Sequence, residues 1–269
     1  MFFLLFGSGR LNHEYGHMST AMRNWSKRKW FRTVWFSIVA VFFIWNWTTF
    51  QSRDLPEDTF ENSEVVTVTE TDDQITFAAR SPKGELEVIF FQGGLTDPKA
   101  YGPLCRKIAE SGFTCHLIKM GWRLAVYDYQ KTTELFDLKN GTYAIGGHSQ
   151  GGRMAAQLVY ENPDLFNGLF LMGTSNPKDI NLSDLNLPCI KLYGEKDGLA
   201  SIDEVMQFKG NLPAGAELIP IKGGNHSQFG YLGKLFLDEE PDISLEDQQE
   251  QTLGHLVSFL FKVEAQSYN

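Results

Sequence analysis

A serine flanked by glycines is the residue in this sequence best placed to act as a nucleophile. Ser149 lies in residues 147–151, which read Gly-His-Ser-Gln-Gly, with an apolar run before them and a helical pattern of apolar residues after them. This pattern predicts a strand, a sharp turn and a helix, with the serine hydroxyl raised at the apex of the turn. Gly147 and Gly151 would let two backbone segments pass where a side chain would clash. Because a Gly-x-Ser-x-Gly pattern also arises by chance, the prediction depends on partners elsewhere in the chain.

A serine hydroxyl needs a base to take its proton, and that base is usually a histidine held by a carboxylate. We predict that His226 is the base, because it lies in a glycine-rich loop just after the last apolar strand. Asp197 is the predicted acid, since it follows the preceding strand and the turn at Gly198 can face its carboxylate toward the histidine. Glu195, which is closer to the strand, is the alternative acid. The chain order Ser149, Asp197, His226 is the order that one particular fold uses.

An acyl-transfer reaction also needs two N–H donors for the oxyanion of its tetrahedral intermediate. We predict the backbone N–H of Gln150 as one donor, since it begins the helix and gains from the helix dipole. The other donor is expected in the loop after the apolar run 88–91, where Gly93 and Gly94 permit close backbone approach. Gly94 is the preferred donor and Leu95 the alternative. A plain tight turn is the non-catalytic interpretation of the same glycines.

The elements that would position these residues alternate between strands and helices. Alternating β-branched and polar residues predict an edge hairpin from 64–69 and 74–79. Apolar runs predict buried strands at 88–91, 113–120, 143–148, 168–172, 189–193 and 217–221. Helices are expected from Pro98 to Gly112, over 125–136, from the serine turn to Asn162, and over 245–263. The pattern predicts an α/β fold with a mostly parallel twisted sheet and helices on both faces. In such sheets ligands bind at the carboxyl ends of the strands, where each predicted site residue lies.

An uncharged apolar run near the N-terminus predicts a single membrane-spanning helix over residues 33–52. A helix of about 20 apolar residues spans about 30 Å, the thickness of a bilayer's hydrocarbon core. Basic residues precede the run and acidic residues follow it, which predicts a cytoplasmic tail (1–32) and an extracytoplasmic body at the cell membrane. Residues 53–63 are then a linker and 64–269 the globular domain. A cleaved signal peptide is the alternative interpretation, although no small-x-small cleavage site follows the run.

Charge and cysteine content narrow the classes of partner. The net charge is −9, and the acidic body argues against nucleic acid, because phosphate binding needs a basic face. Cys105, Cys115 and Cys189 are too few and too scattered for a metal site or a disulfide framework. We interpret them as small buried apolar residues, with a Cys105–Cys115 bridge left open.

One motif near the N-terminus points to different chemistry. Residues 13–17 read His-Glu-Tyr-Gly-His, the H-E-x-x-H pattern of zinc proteases. That chemistry needs both histidines on one face of a stable helix and a third ligand, whereas Gly16 interrupts the helix and no nearby residue offers the ligand. We therefore predict a solvated tail and no metal site. A start at Met18 or Met22 would remove the motif.

Together these residues make the sequence resemble the α/β-hydrolase superfamily over about residues 64–263. The resemblance rests on 147–151, on 193–198 (Tyr-Gly-Glu-Lys-Asp-Gly) and on the loop with His226. Residues 91–98, 118–120 and 223–230 are similar to the fold-5 group of that superfamily. The resemblance implies a serine hydrolase that acts on a small-molecule ester or related acyl substrate without metal or organic cofactor. Gln92 departs from the pattern, since relatives often carry proline or histidine before the glycine.

Three functions remain open on the residues alone. We expect a carboxylesterase-type reaction. The first alternative is cleavage of a thioester, a lactone or a peptide by the same triad. The second alternative is a binding protein on a hydrolase fold. Residues 173–187 are too few for a large cap over the site, and a shallow, uncapped site suits small or medium acyl chains. Residues 229–243 either wall an acyl pocket or pack against the sheet edge.

Overall fold

The computed structural model describes residues 26–267. The H-E-x-x-H motif at 13–17 and the alternative starts Met18 and Met22 lie outside the described residues. The chain divides into one unit that ends at Trp47 and a second that begins at Thr48.

An apolar helix, α1 (Lys27–Thr49), covers most of the predicted membrane span. It begins before the predicted start at residue 33 and ends before the predicted end at residue 52. No residue of its most apolar stretch is buried within the described chain. By length and composition it could cross a membrane, a property that a signal sequence near an N-terminus shares.

The second unit is built on one sheet of eight strands, and its order is β1-β2-β4-β3-β5-β6-β7-β8. The strands β1 to β8 are Val66–Glu70, Gln74–Ala79, Leu86–Phe91, Cys115–Ile118, Thr142–His148, Gly168–Met172, Cys189–Gly194 and Glu217–Ile221. The predicted hairpin, β1 and β2, pairs antiparallel at one edge and joins β4 antiparallel, whereas all other neighbouring strands are parallel. The predicted mostly parallel α/β sheet is confirmed.

Helices cover both faces of the sheet. The α-helices after α1 are α2 (Gly102–Glu110), α3 (Ala125–Asp128), α4 (Thr132–Leu135), α5 (Gln150–Glu161), α6 (Ile202–Gln207) and α7 (Leu245–Gln266). Short 3₁₀ turns lie at Pro98–Tyr101, Gly121–Arg123, Tyr129–Lys131, Lys209–Asn211 and Ser227–Phe229. Strand β3 shows why both faces are covered: Val88 and Phe90 enter the core under α2 and α7, while Ile89 and Phe91 enter the core under α5. Between β6 and β7 the described chain forms no helix or strand, so no large cap stands there, as predicted.

The predicted helix over residues 125–136 is wrong as a single element. Helix α3 ends at Asp128, which takes a non-helical conformation (φ −141°, ψ 2°) before the 3₁₀ turn and α4. The Asp128 carboxylate accepts the N–H of Gly121 at 2.9 Å and pairs with Lys131 at 3.1 Å. These local bonds hold the backbone out of the helical path, since Asp competes for backbone donors in non-helical conformations.

Residues 53–63, predicted as a linker, pack against the globular unit. Phe60 contacts the core that includes Phe77, with ring centroids 6.0 Å apart. Arg106 of α2 donates to the carbonyl oxygens of Thr59 at 3.3 Å and Glu61 at 2.7 Å. The Phe60 ring and the Arg106 guanidinium therefore attach to the globular unit a segment whose polar composition predicted a linker.

The three cysteines are free and buried. Cys105 lies on α2 and Cys115 on β4, and both belong to the same core cluster. The bridge left open by the sequence is not formed in the structure, and the interpretation of the cysteines as buried apolar residues is confirmed.

Candidate active site

The predicted nucleophile Ser149 occupies a strained turn between β5 and α5. Its backbone has φ 53° and ψ −118°, a conformation that costs a non-glycine residue about 1–3 kcal/mol. A Cβ on Gly147 would collide with the carbonyl oxygen of Phe91, and one on Gly151 would collide with the same oxygen, so the end of β3 passes directly against the turn. The Ser149 N–H donates to the carbonyl oxygen of Met172 at 2.8 Å, which fixes the turn to β6.

The predicted acid and base lie together at the carboxyl ends of β7 and β8. Nδ1 of His226 is 2.9 Å and 3.0 Å from the two carboxylate oxygens of Asp197. Because a carboxylate only accepts, Nδ1 carries the proton and Nε2 is left to act as a base. Oδ1 of Asp197 also accepts the N–H groups of Leu199 at 2.9 Å and Ala200 at 2.7 Å, which hold the carboxylate in place.

The alternative acid does not take this position. The Glu195 carboxylate accepts the N–H of Gly223 at 3.2 Å, and within residues 26–267 it makes no hydrogen bond to His226. The turn at Ser149, which we call the elbow, meets the loop that carries His226, which we call the base loop, through His148, whose ring centroid is 4.5 Å from that of His226. No hydrogen bond joins Ser149 to His226 in the described chain. Catalytic hydrogen bonds of this kind often tighten only when substrate binds.

The backbone of residues 93–96 leaves one N–H directed at no protein acceptor. The Gly93 N–H donates to the Tyr101 hydroxyl at 3.2 Å, and the Leu95 N–H donates to the carbonyl oxygen of Arg123 at 2.7 Å. The Thr96 N–H donates to the carbonyl oxygen of Gly93 at 3.3 Å. Within the part of the chain that the structure describes, only the Gly94 N–H of these four is without an acceptor, so Leu95 is the weaker candidate for the oxyanion donor.

Gly94 lies next to the other predicted donor. A Cβ on Gly94 would come 3.2 Å from side-chain atoms of Gln150, the first residue of α5. A helix's first N–H groups have no partner within the helix, so the Gln150 N–H is available to an anion. Gln92, the departure from the family pattern, is fully buried, and its Nε2 donates to the Thr96 carbonyl oxygen at 2.9 Å. This hydrogen bond joins the two ends of the loop, residues 92 and 96.

A second buried carboxylate, Asp238, connects the loop that carries Asp197 to the base loop, and no sequence pattern predicted it. Its Oδ1 accepts the N–H groups of Gly198 at 3.2 Å, His226 at 3.2 Å and Glu239 at 3.0 Å. Its Oδ2 accepts the N–H of Ser227 at 2.8 Å and the Ser227 hydroxyl at 2.6 Å. Within residues 229–243, Phe229 and Leu232 pack with the core of the sheet, whereas Phe236 and Leu237 are exposed. Asp238 of the same segment bonds the backbone next to Asp197 to the backbone of His226, and we call this arrangement the clamp.

Asp238→Asn is expected to lower kcat by about 100-fold with little change in KM, because a misplacement of about 1 Å in a catalytic group costs about that much. The amide nitrogen cannot accept, so at least one N–H of the clamp loses its partner, and the free energy of unfolding should fall by about 2 kcal/mol. Glu240→Gln is the matched control, since Glu240 is an exposed acid in the same loop that pairs with Lys234. Steady-state kinetics below the unfolding transition measure the effect. A kcat within about twofold of wild type in Asp238→Asn would show that the clamp does not position the site.

A buried pair, Tyr101 and His148, joins the oxyanion loop to the elbow. The Tyr101 hydroxyl lies 2.8 Å from Nδ1 of His148 and accepts the Gly93 N–H. Burial raises the pKa of the Tyr101 hydroxyl. Burial, and then the neighbouring His226, hold the pKa of His148 well below its usual range. Both side chains are therefore neutral near pH 7, and their hydrogen bonds fix the loop without adding charge beside Ser149 and His226.

The neutral His148 predicts loss of stability in acid. Below about pH 6.5 the unfolded chain protonates this histidine while the folded protein does not, so the free energy of unfolding falls as pH falls, by up to about 1.4 kcal/mol per pH unit. His148→Asn removes this proton uptake, and we expect a shallower loss of stability between pH 6.5 and pH 5. Urea unfolding of both proteins across that range measures the difference. Equal slopes would contradict a neutral buried His148.

Comparison with known proteins adds to this geometry. Residues 87–250 match the model of the alpha/beta hydrolase family. The fold is similar to bacterial heroin esterase, at 15% identity over 77% of this chain and 87% of that chain (TM-score 0.52), and to an esterase/lipase from an uncultured bacterium, at 12% identity over 77% and 87% (TM-score 0.54). Mouse alpha/beta hydrolase domain-containing protein 10 is similar at 13% identity over 74% of this chain and 99% of that chain (TM-score 0.53). At these identities the similarity shows the fold alone. No curated protein sequence matches the chain.

Proposed function

Since this chain belongs to the alpha/beta hydrolase family, we propose that it hydrolyses a carboxyl ester or a related acyl bond with Ser149 as the nucleophile. His226 is the general base and Asp197 its carboxylate partner. The proposal is carried by the hydrogen bond between Nδ1 of His226 and the buried Asp197 carboxylate. The His226 ring also contacts the ring of His148, which belongs to the strained Ser149 turn.

The reaction proceeds in two acyl transfers. The Ser149 hydroxyl oxygen attacks the ester carbonyl carbon, and its proton passes to Nε2 of His226 while Asp197 stabilises the imidazolium that forms. The N–H groups of Gly94 and Gln150 stabilise the oxyanion, each by about 3 kcal/mol. The imidazolium then gives its proton to the leaving alcohol, which leaves an acyl group on Ser149. A water molecule then attacks the acyl carbonyl carbon and gives a proton to Nε2 of His226. His226 returns the proton to the serine oxygen, and this step releases the carboxylic acid and restores Ser149.

Two alternatives remain, and one panel of substrates separates them. The same triad could cleave a thioester, a lactone or a peptide, and a hydrolase fold can also serve as a binding protein. We expect kcat/KM to be highest for p-nitrophenyl esters when they are compared with a thioester, a lactone and an anilide of matched acyl chain. Turnover of one of the other bonds alone would select that alternative. No turnover of any substrate by folded protein, with Ser149 unreactive to a fluorophosphonate, would select the binding protein.

We further propose that α1 is an uncleaved anchor in the cell membrane and that the catalytic domain is extracytoplasmic. Lys27, Arg28 and Lys29 precede the apolar stretch of the helix, and acidic residues such as Asp54 and Glu57 follow it, which supports this orientation. Protease added to intact cells should release the domain. Protection of the domain would invert the orientation, and recovery of a soluble chain that lacks the helix would favour a cleaved signal peptide.

A further inference from the structure

Four exposed apolar side chains flank the candidate catalytic groups on two sides, and we call them the rim: Leu95, Trp122, Leu199 and Leu237. Leu95 follows the oxyanion donor Gly94, and its N–H binds the carbonyl oxygen of the residue after Trp122. Across the site, the N–H of Leu199 binds Asp197, and a Cβ on Gly198 would collide with the carbonyl oxygen of Leu237. Their exposed fractions are 42% for Leu95, 90% for Trp122, 41% for Leu199 and 72% for Leu237. Single exposed apolar residues are common, but four of them on the loops that carry the candidate catalytic groups support contact with an apolar partner.

The backbone of the rim is strained at most of these exposed positions. Three rim residues have positive φ: 63° at Leu95, 55° at Trp122 and 74° at Leu237. This conformation costs a bulky residue about 1–2 kcal/mol relative to glycine, which adopts it readily. Glycine at these positions would remove the backbone strain and would expose no apolar side chain to solvent. An outlier of this kind at a site supports a functional role for the side chain that it carries.

The segment that follows α1 is attached beside the same rim. The Asp97 N–H donates to the carbonyl oxygen of Phe50 at 2.8 Å, directly after the last residue of the helix. Arg123, which follows Trp122, donates to the Gln51 side chain at 3.1 Å, and the Ser52 hydroxyl donates to Asp97 at 3.1 Å. Within the globular unit, the point where the chain enters from α1 is therefore bonded to the two loops that carry Leu95 and Trp122. The residues bonded to these two loops follow the last residue of the proposed anchor by one to three positions along the chain.

We infer that the rim contacts the lipid bilayer and that the substrate is an acyl ester resident in that bilayer. This inference rests on the proposed function, because it names the substrate of the same Ser149 site. An uncapped site encloses only the part of an acyl chain next to the ester bond, and the bilayer holds the rest of the chain. The rim side chains bury apolar surface in the lipid, which brings the oxyanion loop and the triad to the depth of the ester.

The test uses the full chain reconstituted in phosphatidylcholine vesicles and compares two substrates of the same chromophore. Methylumbelliferyl oleate is placed in the bilayer, and methylumbelliferyl acetate is supplied in solution. Replacing both Trp122 and Leu237 with glycine removes the apolar side chains while retaining a backbone that glycine adopts without strain. We expect the ratio of the oleate rate to the acetate rate to fall about tenfold in this double variant. The matched control is Tyr160→Ala, since Tyr160 is an exposed aromatic residue near the C-terminal end of α5, opposite the end next to Ser149, and its ratio should equal that of wild type.

The outcomes separate this inference from the proposed function. An unchanged ratio of oleate to acetate rates in the Trp122→Gly/Leu237→Gly variant overturns the inference. The inference also fails if the wild-type protein hydrolyses the acetate ester but not the oleate ester in the bilayer. Either result leaves the proposal of Ser149 catalysis intact. A double variant that dissociates a dimer in detergent while keeping its ratio would assign the rim to a second copy of the chain and would also overturn the inference. No turnover of either ester, together with an unreactive Ser149, would instead overturn the proposed function.

Discussion

Ser149→Ala is expected to lower kcat for ester hydrolysis by about 10⁵-fold, because the reaction loses the atom that bonds to the acyl group. The protein should still fold, since the turn depends on the Ser149 backbone N–H bond to Met172 and on the close passage of Phe91, and neither involves the hydroxyl. A small residual rate is expected from the oxyanion donors and from substrate binding alone. Steady-state kinetics with p-nitrophenyl esters measure the loss.

Ser175→Ala is the matched control for this variant. Ser175 is a buried serine shortly after the end of β6, the strand that fixes the elbow, and it lies outside the triad. Its replacement should leave kcat within about twofold of wild type. A Ser149→Ala protein that retains a tenth of its kcat, or a Ser175→Ala protein that loses most of it, would contradict the assignment of the nucleophile.

Asp197→Asn is the second large expected effect, a fall in kcat of about 10⁴-fold. An asparagine amide that donates to Nδ1 of His226 makes Nδ1 the acceptor and leaves the proton on Nε2. The imidazole then cannot take the serine proton, although the fold and the ring position are kept. Binding of substrate depends on other groups, so the loss should appear in kcat rather than in KM.

Glu195→Gln separates the two acidic residues of this loop. Its carboxylate accepts the N–H of Gly223 at 3.2 Å, and an amide oxygen can accept the same bond. We expect near wild-type kcat in Glu195→Gln, measured beside Asp197→Asn in the same ester assay. The reverse result, with activity lost in Glu195→Gln and kept in Asp197→Asn, would exchange their roles.

The sequence was sufficient to predict the parallel sheet and which residues meet at its edge. Apolar runs predict the strands. Because β7 and β8 are parallel neighbours, their carboxyl ends lie side by side, and the loops that follow them bring Asp197 to His226. The preference for Gly94 over Leu95 had a weaker basis in the sequence. In the structure the Gly93 and Leu95 N–H groups are already bound by the Tyr101 hydroxyl and the Arg123 carbonyl oxygen, which is consistent with that preference.

Other features depend on contacts that no local pattern encodes. Asp238 lies in a loop without periodicity, and its role arises from N–H groups at Gly198 and His226 that are distant in sequence. The packing of residues 53–63 depends on Arg106 in the same way. The strained Leu95 and Trp122 were not predictable, since positive φ is expected at glycine.

The most direct test of Ser149 as the nucleophile is covalent labelling of the full chain by a fluorophosphonate, with the modified peptide identified by mass spectrometry. We expect one stoichiometric adduct on Ser149, absent in Ser149→Ala and formed far more slowly in Asp197→Asn. Folded protein that forms no adduct, or that carries the adduct on a different residue, would contradict Ser149 as the nucleophile.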